Sequence, residues 1–371
     1  MEKIKIAEFV SRLQFGGVES MILNYISNFK NKDKFEIHII TQDINEENCI
    51  NQFKNAGIEV HVITHKKKNI LKNIIEVSRI LKKEKFDIVH SHMTLTNFYI
   101  LFLAKIYGVK VRISHAHSAF LEDNIIRKVV FKSLKIMNVL FATHLMACGY
   151  IAGNFLYGKK RMENKEVIIL NNAIDISKFK YNTSTRTKIK TKYNMQNEIC
   201  IGHIGRFTDV KNHKFLLDVF QEIKKINYNS KLLLIGDGER HSNIENLVQK
   251  KGLSQSVVFT GNINNTNEFY QAMDVFVLPS LYEGLPVVMI EAQANGLPCL
   301  VSDNIDKNSA ISDNVYFMNL KKPAILWAKT ILKLAKSSRN KDSIALLSKQ
   351  GYNIKIEASR LEKLYQLLAQ K

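Results

Sequence analysis

Proline is scarce in this chain, 4 residues in 371, and no Ser/Gly-rich tract accompanies it, which argues against a long flexible linker. Cysteine is equally sparse. Cys49, Cys148, Cys200 and Cys299 stand too far apart for a CxxC pair or a zinc-ribbon spacing, so they read as small buried apolar residues in a reducing cytosol. Lys5 and Glu8 interrupt the only apolar run near the start, and no signal-peptide pattern is visible there. Acidic residues are in deficit: 34 Asp+Glu face 54 Lys+Arg, a formal charge of +20. The excess divides evenly, +10 up to Leu170 and +10 beyond it, so there is no basic tail. Such a surplus favours an anionic partner, whether nucleic acid, an anionic membrane surface or a phosphorylated substrate.

What is present is ordinary globular material, 46% hydrophobic and 24% charged, in a length that suits two domains. From Ile136 to Gly158 no charged residue occurs, a stretch long enough to cross a bilayer. Asn138, Thr143, His144, Gly149, Gly153 and Asn154 break it, and it parses better as a helix end, a buried strand at Leu145–Cys148 and a second helix start. The expectation is a soluble protein.

Short β-rich runs alternate with helical patterns. Candidate strands are Ile4–Val10, Glu36–Thr41, Val60–Ile63, Asp87–His92, Val111–His115, Leu145–Cys148 and Val167–Leu170. A second set is Cys200–Gly205, Leu232–Gly236, Val257–Thr260, Val275–Pro279, Cys299–Ser302 and Val315–Met318. Several are continuous apolar runs, as expected of parallel strands covered on both faces. Helical patterns such as His213–Lys225 and Pro286–Ala294 intervene, so the fold class is α/β with two doubly wound sheets. The polar stretch Asp175–Asn197 lacks a firm apolar period and reads as the hinge. Ala358–Gln370 is an amphipathic helix with Leu361, Leu364, Tyr365 and Leu368 on one face.

In open α/β sheets ligands bind beyond the carboxyl ends of the strands, so residues after strand ends are the candidates. Gly16 and Gly17, in Gln14-Phe-Gly-Gly-Val-Glu-Ser, follow the first strand and would let an anion approach the backbone at a helix start; a plain tight turn is the competing reading. In Cys200-Ile-Gly-His-Ile-Gly-Arg-Phe-Thr-Asp-Val-Lys-Asn-His, Arg206, Lys211 and His213 crowd a strand-to-helix turn. Cations there oppose the helix dipole unless an anion sits among them, and an Arg fork beside a Lys point charge suits a diphosphate. Solvated surface cations are the alternative.

The stretch Pro279-Ser-Leu-Tyr-Glu-Gly-Leu-Pro-Val-Val-Met-Ile-Glu-Ala-Gln-Ala-Asn-Gly-Leu-Pro is the most informative. Pro286 suits the first helical position, leaving the amides of Val287 and Val288 pointing outward for phosphate oxygens. Glu283 precedes that helix end and Glu291 follows it, placing carboxylates for hydroxyls on both sides of a diphosphate. Otherwise Glu283 only complements the helix dipole and Glu291 is a solvated face. His90, His92, His115 and His117 cluster at two strand ends; zinc is the less favoured reading, because no carboxylate or cysteine of matching spacing accompanies them. A neutral donor to a substrate hydroxyl is favoured, with at least two of the four as core residues. In Asn124–Met137, Arg127, Lys128, Lys132 and Lys135 recur at helical spacing among Ile126, Val129, Val130, Phe131 and Leu134. That fits either a self-packed amphipathic helix or one meeting anionic lipid.

The Glu283-x7-Glu291 block, with GRFTDVKNHKFLLDVF upstream, resembles the family 4 retaining glycosyltransferases of GT-B fold, and DIVHSHM and RISHAHS resemble their bacterial capsular and exopolysaccharide branch. The resemblance runs over essentially the whole chain. It implies two facing Rossmann-like domains: an acceptor-binding domain at 1–172, on which a helix at about 355–371 packs back, and a nucleotide-sugar-binding domain at 173–354. It implies a hexose or N-acetylhexosamine moving from a UDP-linked donor to a lipid-linked oligosaccharide, with retention, no cofactor and no metal. Gly16 and Gly17 would approach the donor phosphate, and Arg206 and Lys211 would stabilise the leaving diphosphate. Glu283 would hold the transferred sugar and Glu291 the ribose, with Gly284, Leu285, Val287 and Val288 lining the donor. His117, or His115 by a shifted alignment, would stand near the sugar's 6-hydroxyl. Two positions depart from the family pattern: Ala173 stands where relatives have Gly, and Gly261-Asn-Ile-Asn lacks a common Arg. The implied location is the cytoplasm, peripheral on the inner face of the cell membrane. The competing functions are a sugar-nucleotide epimerase, an inverting transferase and a basic nucleic-acid-binding protein; neither a basic face interleaved with aromatics nor a helix-turn-helix supports the last.

Overall fold

In the computed structural model, which describes residues 2–13, 16–44, 47–120 and 124–370, the chain divides into two compact units. The first comprises Met1–Ile174 and Asn353–Lys371, the second Asp175–Tyr352. Gln14 and Phe15, read above with the glycine pair, lie outside the described residues.

The first unit holds a seven-stranded parallel sheet: β1 Ile4–Val10, β2 Phe35–Thr41, β3 Glu59–Val62, β4 Ile88–Ser91, β5 Val111–Ala116, β6 His144–Ala147 and β7 Val167–Ile169. Their order is β3-β2-β1-β4-β5-β6-β7. The second unit holds six parallel strands: β8 Ile199–Ile204, β9 Ser230–Ile235, β10 Val257–Phe259, β11 Val275–Leu278, β12 Cys299–Ser302 and β13 Val315–Met318, ordered β10-β9-β8-β11-β12-β13. All thirteen expected runs are strands; the central ones are apolar runs buried on both faces, which leave little ambiguity of length or phase, while the edge strands β3 and β13 are partly exposed. The order reverses between β1 and β4, and again between β8 and β11. At such switch points the loops leave in opposite directions and open a crevice beyond the strand ends.

The helix Ile354–Ala369 belongs to the first unit. Ile354, Ala358, Leu361, Tyr365 and Leu368 join the core formed by Ile6, Tyr25, Phe29 and Ile113. Its start is fixed beside the exit of the chain: the Ile354 amide donates to the Ile174 carbonyl at 3.0 Å. The charge-free stretch resolves into the end of the helix Ile125–Phe141, β6 and the helix Tyr150–Tyr157. Among the described residues no helix is long and apolar enough to cross a membrane. All four cysteines are buried.

The expected hinge is folded. Asp175–Asn197 contains a short 3-10 turn, Ile176–Phe179, and the helix Thr183–Lys192, whose start is capped by the Asn182 side chain accepting from the Thr185 amide at 2.8 Å. Its apolar content is low because it is fastened by charge instead. Arg186 and Lys190 reach Asp274 at 2.5 and 3.2 Å, and Arg186 also donates to three carbonyls at the end of the helix Thr266–Ala272. A search for apolar periodicity misses a helix held this way.

Candidate active site

In the second unit the functional candidates gather at the β8/β11 switch point. Arg206 lies two residues beyond β8, exposed, and its guanidinium makes no hydrogen bond or ion pair with a described residue. Lys211 ends a short turn, Asp209–Lys211, before the helix His213–Ile226. Its stem lies directly over Gly205, where a Cβ would come within 2.9 Å of the lysine Cε. Glycine at 205 is therefore what lets Lys211 cross the strand end. Its ammonium pairs with the Glu283 carboxylate, which also accepts from Ser280 Oγ at 3.1 Å. A resting ion pair keeps the lysine aimed, and both partners can turn to a ligand carrying phosphate and hydroxyls.

His213 does not join the cations. It is 3% exposed, packed against Phe207 and His203, and burial with the nearby Lys211 charge pulls its pKa down to about 4. An ammonium on one side and apolar neighbours on the other leave it neutral at pH 7. Its opening position on an amphipathic helix puts it inside.

Beyond β11 the helix Val287–Ala294 starts with Pro286 at the N-cap rather than at the first helical position. No side chain caps this end. The amides of Val287 and Val288 donate to no described residue, while that of Met289 turns back to the Pro286 carbonyl at 3.0 Å. Two free donors and the positive end of the helix dipole face the loop that carries Glu283, Gly284 and Leu285. Glu291 is not a solvated helix face. Its carboxylate accepts from Tyr270 Oη at 2.8 Å, and burial pushes its pKa up to about 7.

In the first unit the candidates lie beyond β1, β4 and β5. Gly16 caps the helix Gly17–Ser27, and a Cβ on Gly17 would meet nothing within 4 Å, so no described neighbour demands glycine there. Glu19, two residues on, is buried, and desolvation raises its carboxyl to about 7. His90, His92 and His115 are buried, at 1%, 6% and 0% exposure, while His117 is half-buried at the strand end. Of the two alternatives, His117 is the one within reach of a ligand.

The residues missed by sequence reasoning are Glu8 and Tyr365. Glu8, 3% exposed in the middle of β1, accepts from His92 Nε2 at 2.7 Å and from Tyr365 Oη at 3.0 Å. His92 and His117 meet through Nδ1 and Nε2 at 2.8 Å, and His90 bonds Tyr365 Oη at 2.6 Å and His115 Nδ1 at 3.0 Å. His90, His92 and His115 bring ring nitrogens within 4.8 Å of one another, the spacing a metal would need, yet all of their nitrogens except His115 Nε2 are engaged in the hydrogen bonds just described. Burial and neighbouring imidazoles hold His90, His115 and His117 well below the usual histidine range. A carboxylate inside an apolar strand was itself the available signal, since a buried charge must find partners.

Residues 15–178 match the family described as Glycosyltransferase Family 4, and residues 185–350 match Glycosyl transferases group 1. The glycosyltransferase EpsF of Bacillus subtilis, itself named as provisional, is 32% identical over 99% of this chain and 97% of its own. The capsular polysaccharide biosynthesis glycosyltransferase CapH of Staphylococcus aureus is 28% identical over 98% of each chain. An Escherichia coli UDP-Gal:α-D-GlcNAc-diphosphoundecaprenol α-1,3-galactosyltransferase is 27% identical over 85% of this chain and 83% of its own. In fold, Anabaena HepE, solved with UDP-glucose, superposes with a TM-score of 0.74 at 15% identity, covering 99% of this chain and 97% of that one. Switch-point geometry, the carboxylate pair around an uncapped helix and identity along the full length agree: this chain belongs to the family 4 glycosyltransferases of GT-B fold.

Proposed function

We propose that the protein transfers a hexose or N-acetylhexosamine from a UDP-sugar to a lipid-linked oligosaccharide, with retention, in assembly of a capsular or exopolysaccharide. The observation that carries the donor half is the uncapped helix end at Val287–Val288, with Lys211–Glu283 before it and Glu291 five residues into the helix. As the glycosidic bond breaks, charge grows on the β-phosphate. Arg206, Lys211 and the two free amides collect it, the amides as donors already fixed in place by the helix. That is the work a divalent ion does elsewhere, and this scheme assigns it to side chains without metal or cofactor. Glu283 takes hydroxyls of the moving sugar, and Glu291, with Tyr270 behind it, takes the ribose. The family resemblance assigns Gly16, Gly17 and His117 as further donor contacts. Retention by double displacement would need a carboxylate nucleophile on the far face of the sugar; an acceptor attacking on the leaving-group side needs none, and is the mechanism proposed here.

The lipid-linked acceptor draws support from the names of the relatives and from the helix Ile125–Phe141. Phe131 and Leu134 turn inward onto the core of the first unit, leaving Ile125, Ile126, Val129, Val130, Ile136 and Leu140 between 47% and 79% exposed. Arg127, Lys128 and Lys132 stand exposed among them. An apolar surface studded with cations fits the interface of an anionic bilayer, and this face docks the enzyme peripherally on the membrane that holds its acceptor.

The deciding experiment is incubation with a panel of sugar nucleotides, with and without a lipid-diphosphate saccharide, following nucleotide release and the anomeric configuration of the product. Acceptor-dependent release of UDP with retained configuration is expected. Release of no nucleotide, epimerised donor or an inverted product would replace this reading.

A further inference from the structure

With Glu8 ionised and the four imidazoles neutral, the hydrogen bonds around Glu8 have one consistent direction. An ionised carboxylate has no hydrogen to give, so both of its partners must donate. His92 therefore carries its proton on Nε2, and its Nδ1 is left as an acceptor. His117 must then donate from Nε2, which leaves His117 Nδ1 bare. In the other direction Tyr365 spends its single proton on Glu8; burial and the adjacent carboxylate keep that phenol protonated. Its oxygen can then only accept from His90 Nδ1, so His90 Nε2 accepts from His115 Nδ1. The chain ends on His115 Nε2, which is buried and has no partner among the described residues, as suits a bare nitrogen better than an N–H. One carboxylate thus sets four tautomers, two protonated on Nε2 and two on Nδ1.

We propose that Glu8 is a positioning residue which, through His92, fixes His117 as the Nε2–H tautomer, so that His117 presents a bare Nδ1 that accepts a hydrogen bond from a sugar hydroxyl. The proposal rests on the reading of His117 as a donor-sugar contact. His117 Nδ1 makes no hydrogen bond with a described residue, and His117 is the only member of the four that is not buried. The other tautomer would present an N–H there and leave two bare nitrogens, on His92 and His117, facing each other at 2.8 Å. That costs a hydrogen bond and sets lone pair against lone pair. Tyr365 ties the same carboxylate to the helix Ile354–Ala369, so the second arm steadies Glu8 without touching His117.

The test is long-range ¹H–¹⁵N spectroscopy of the full-length protein labelled in histidine, assigned by single His variants, together with donor kinetics. The expected wild-type pattern is Nε2–H at His92 and His117 and Nδ1–H at His90 and His115. Glu8→Gln, whose amide can accept from only one arm while donating to the other, should break the pattern. It should lower kcat about ten- to hundredfold with donor KM changed less than about twofold. Tyr365→Phe should disturb His90 and His115 alone, leaving His117 and turnover intact, and it keeps the question open should Glu8→Gln fold poorly. An Nδ1–H His117 in the wild type, or Glu8→Gln with unaltered tautomers and turnover, would overturn the role of Glu8. If the tautomers are as derived but His117→Ala keeps full turnover, the placement of His117 at the sugar fails, and the positioning role with it. Loss of turnover in His117→Ala alongside reversed tautomers would keep the placement and discard the relay.

Discussion

The two switch points handle polarity in opposite ways. At β8/β11 charge is left available: Arg206 unengaged, Lys211 and Glu283 paired only with each other and Ser280, two helix amides unspent. At β1/β4 polarity is consumed internally: Glu8 satisfies His92 and Tyr365, and four imidazoles pass one orientation along two arms that end on His117 Nδ1 and on the buried His115 Nε2. On the proposed reading, the same crevice geometry serves two kinds of recognition. Loose charge meets a diphosphate, whose own charge repays the desolvation; a neutral, oriented acceptor meets a hydroxyl, which is read by direction rather than by charge.

The sharpest way to break this contrast is to remove the unengaged cation. Arg206→Ala should leave the fold intact, because its guanidinium bonds to none of the described residues, while kcat falls on the order of a hundredfold or more, as when an oxyanion donor is lost. Unchanged turnover with unchanged UDP binding would return Arg206 to the class of ordinary surface cations. Glu283→Ala sharpens it further. Turnover should fall with donor KM much less affected, because the proposal puts Glu283 at the moving sugar. Freed from its carboxylate, Lys211 should hold product UDP at least as tightly as before, which equilibrium binding of UDP would show. Weaker UDP binding would mean that the ion pair aims Lys211 rather than holding it in reserve.

How much of this was legible depended on whether the cause was local. Strands buried on both faces are written as continuous apolar runs, and β12 Cys299–Ser302, buried throughout, can be placed to the residue. The Glu283-x7-Glu291 pair is local too, since one turn and one helix set its geometry. The histidine chain is not. Glu8 and Tyr365 are 357 residues apart, and the only trace of their union was a glutamate inside an apolar strand, which was read as an interruption. The helix Thr183–Lys192 stayed hidden for a related reason: its anchor, Asp274, lies more than 80 residues away.

The membrane face gives the next, smaller effect. Binding to vesicles of anionic lipid should fall steeply with salt, and changing Arg127, Lys128, Lys132 and Lys135 to Gln should weaken it by about 1 kcal/mol for each side chain near the surface. Lys135 should matter least, because its ammonium sits 4.0 Å over the Phe155 ring. Flotation that ignores both salt and the four changes would assign this helix to another partner.

The smallest effect tests the contrast inside the protein, through its carboxylates. Glu8 has two donors, whereas Glu291 has only Tyr270 and carries a carboxyl raised to about 7 by burial. An acid whose folded pKa lies above its unfolded value, near 4.5, keeps its proton in the folded state while the unfolded chain gives it up. Stability is thus unaffected by this group below about pH 4.5, falls as pH rises from there to about 7, and stays reduced above that. Glu291→Gln removes the charged form. It should leave the unfolding transition of the second unit nearly unchanged at pH 4.5 and stabilise it at pH 8, by about 1–2 kcal/mol once partial exposure is allowed for. Urea melts of the full chain at the two pH values read the difference. The same variant should bind donor more weakly, because an amide cannot replace a carboxylate accepting from ribose hydroxyls. A gain in stability with a loss of affinity is the mark of a charge kept for its ligand. A Glu291→Gln protein that is no more stable at pH 8 than the wild type would mean that Tyr270 already satisfies the carboxylate, and that the second switch point is as self-contained as the first.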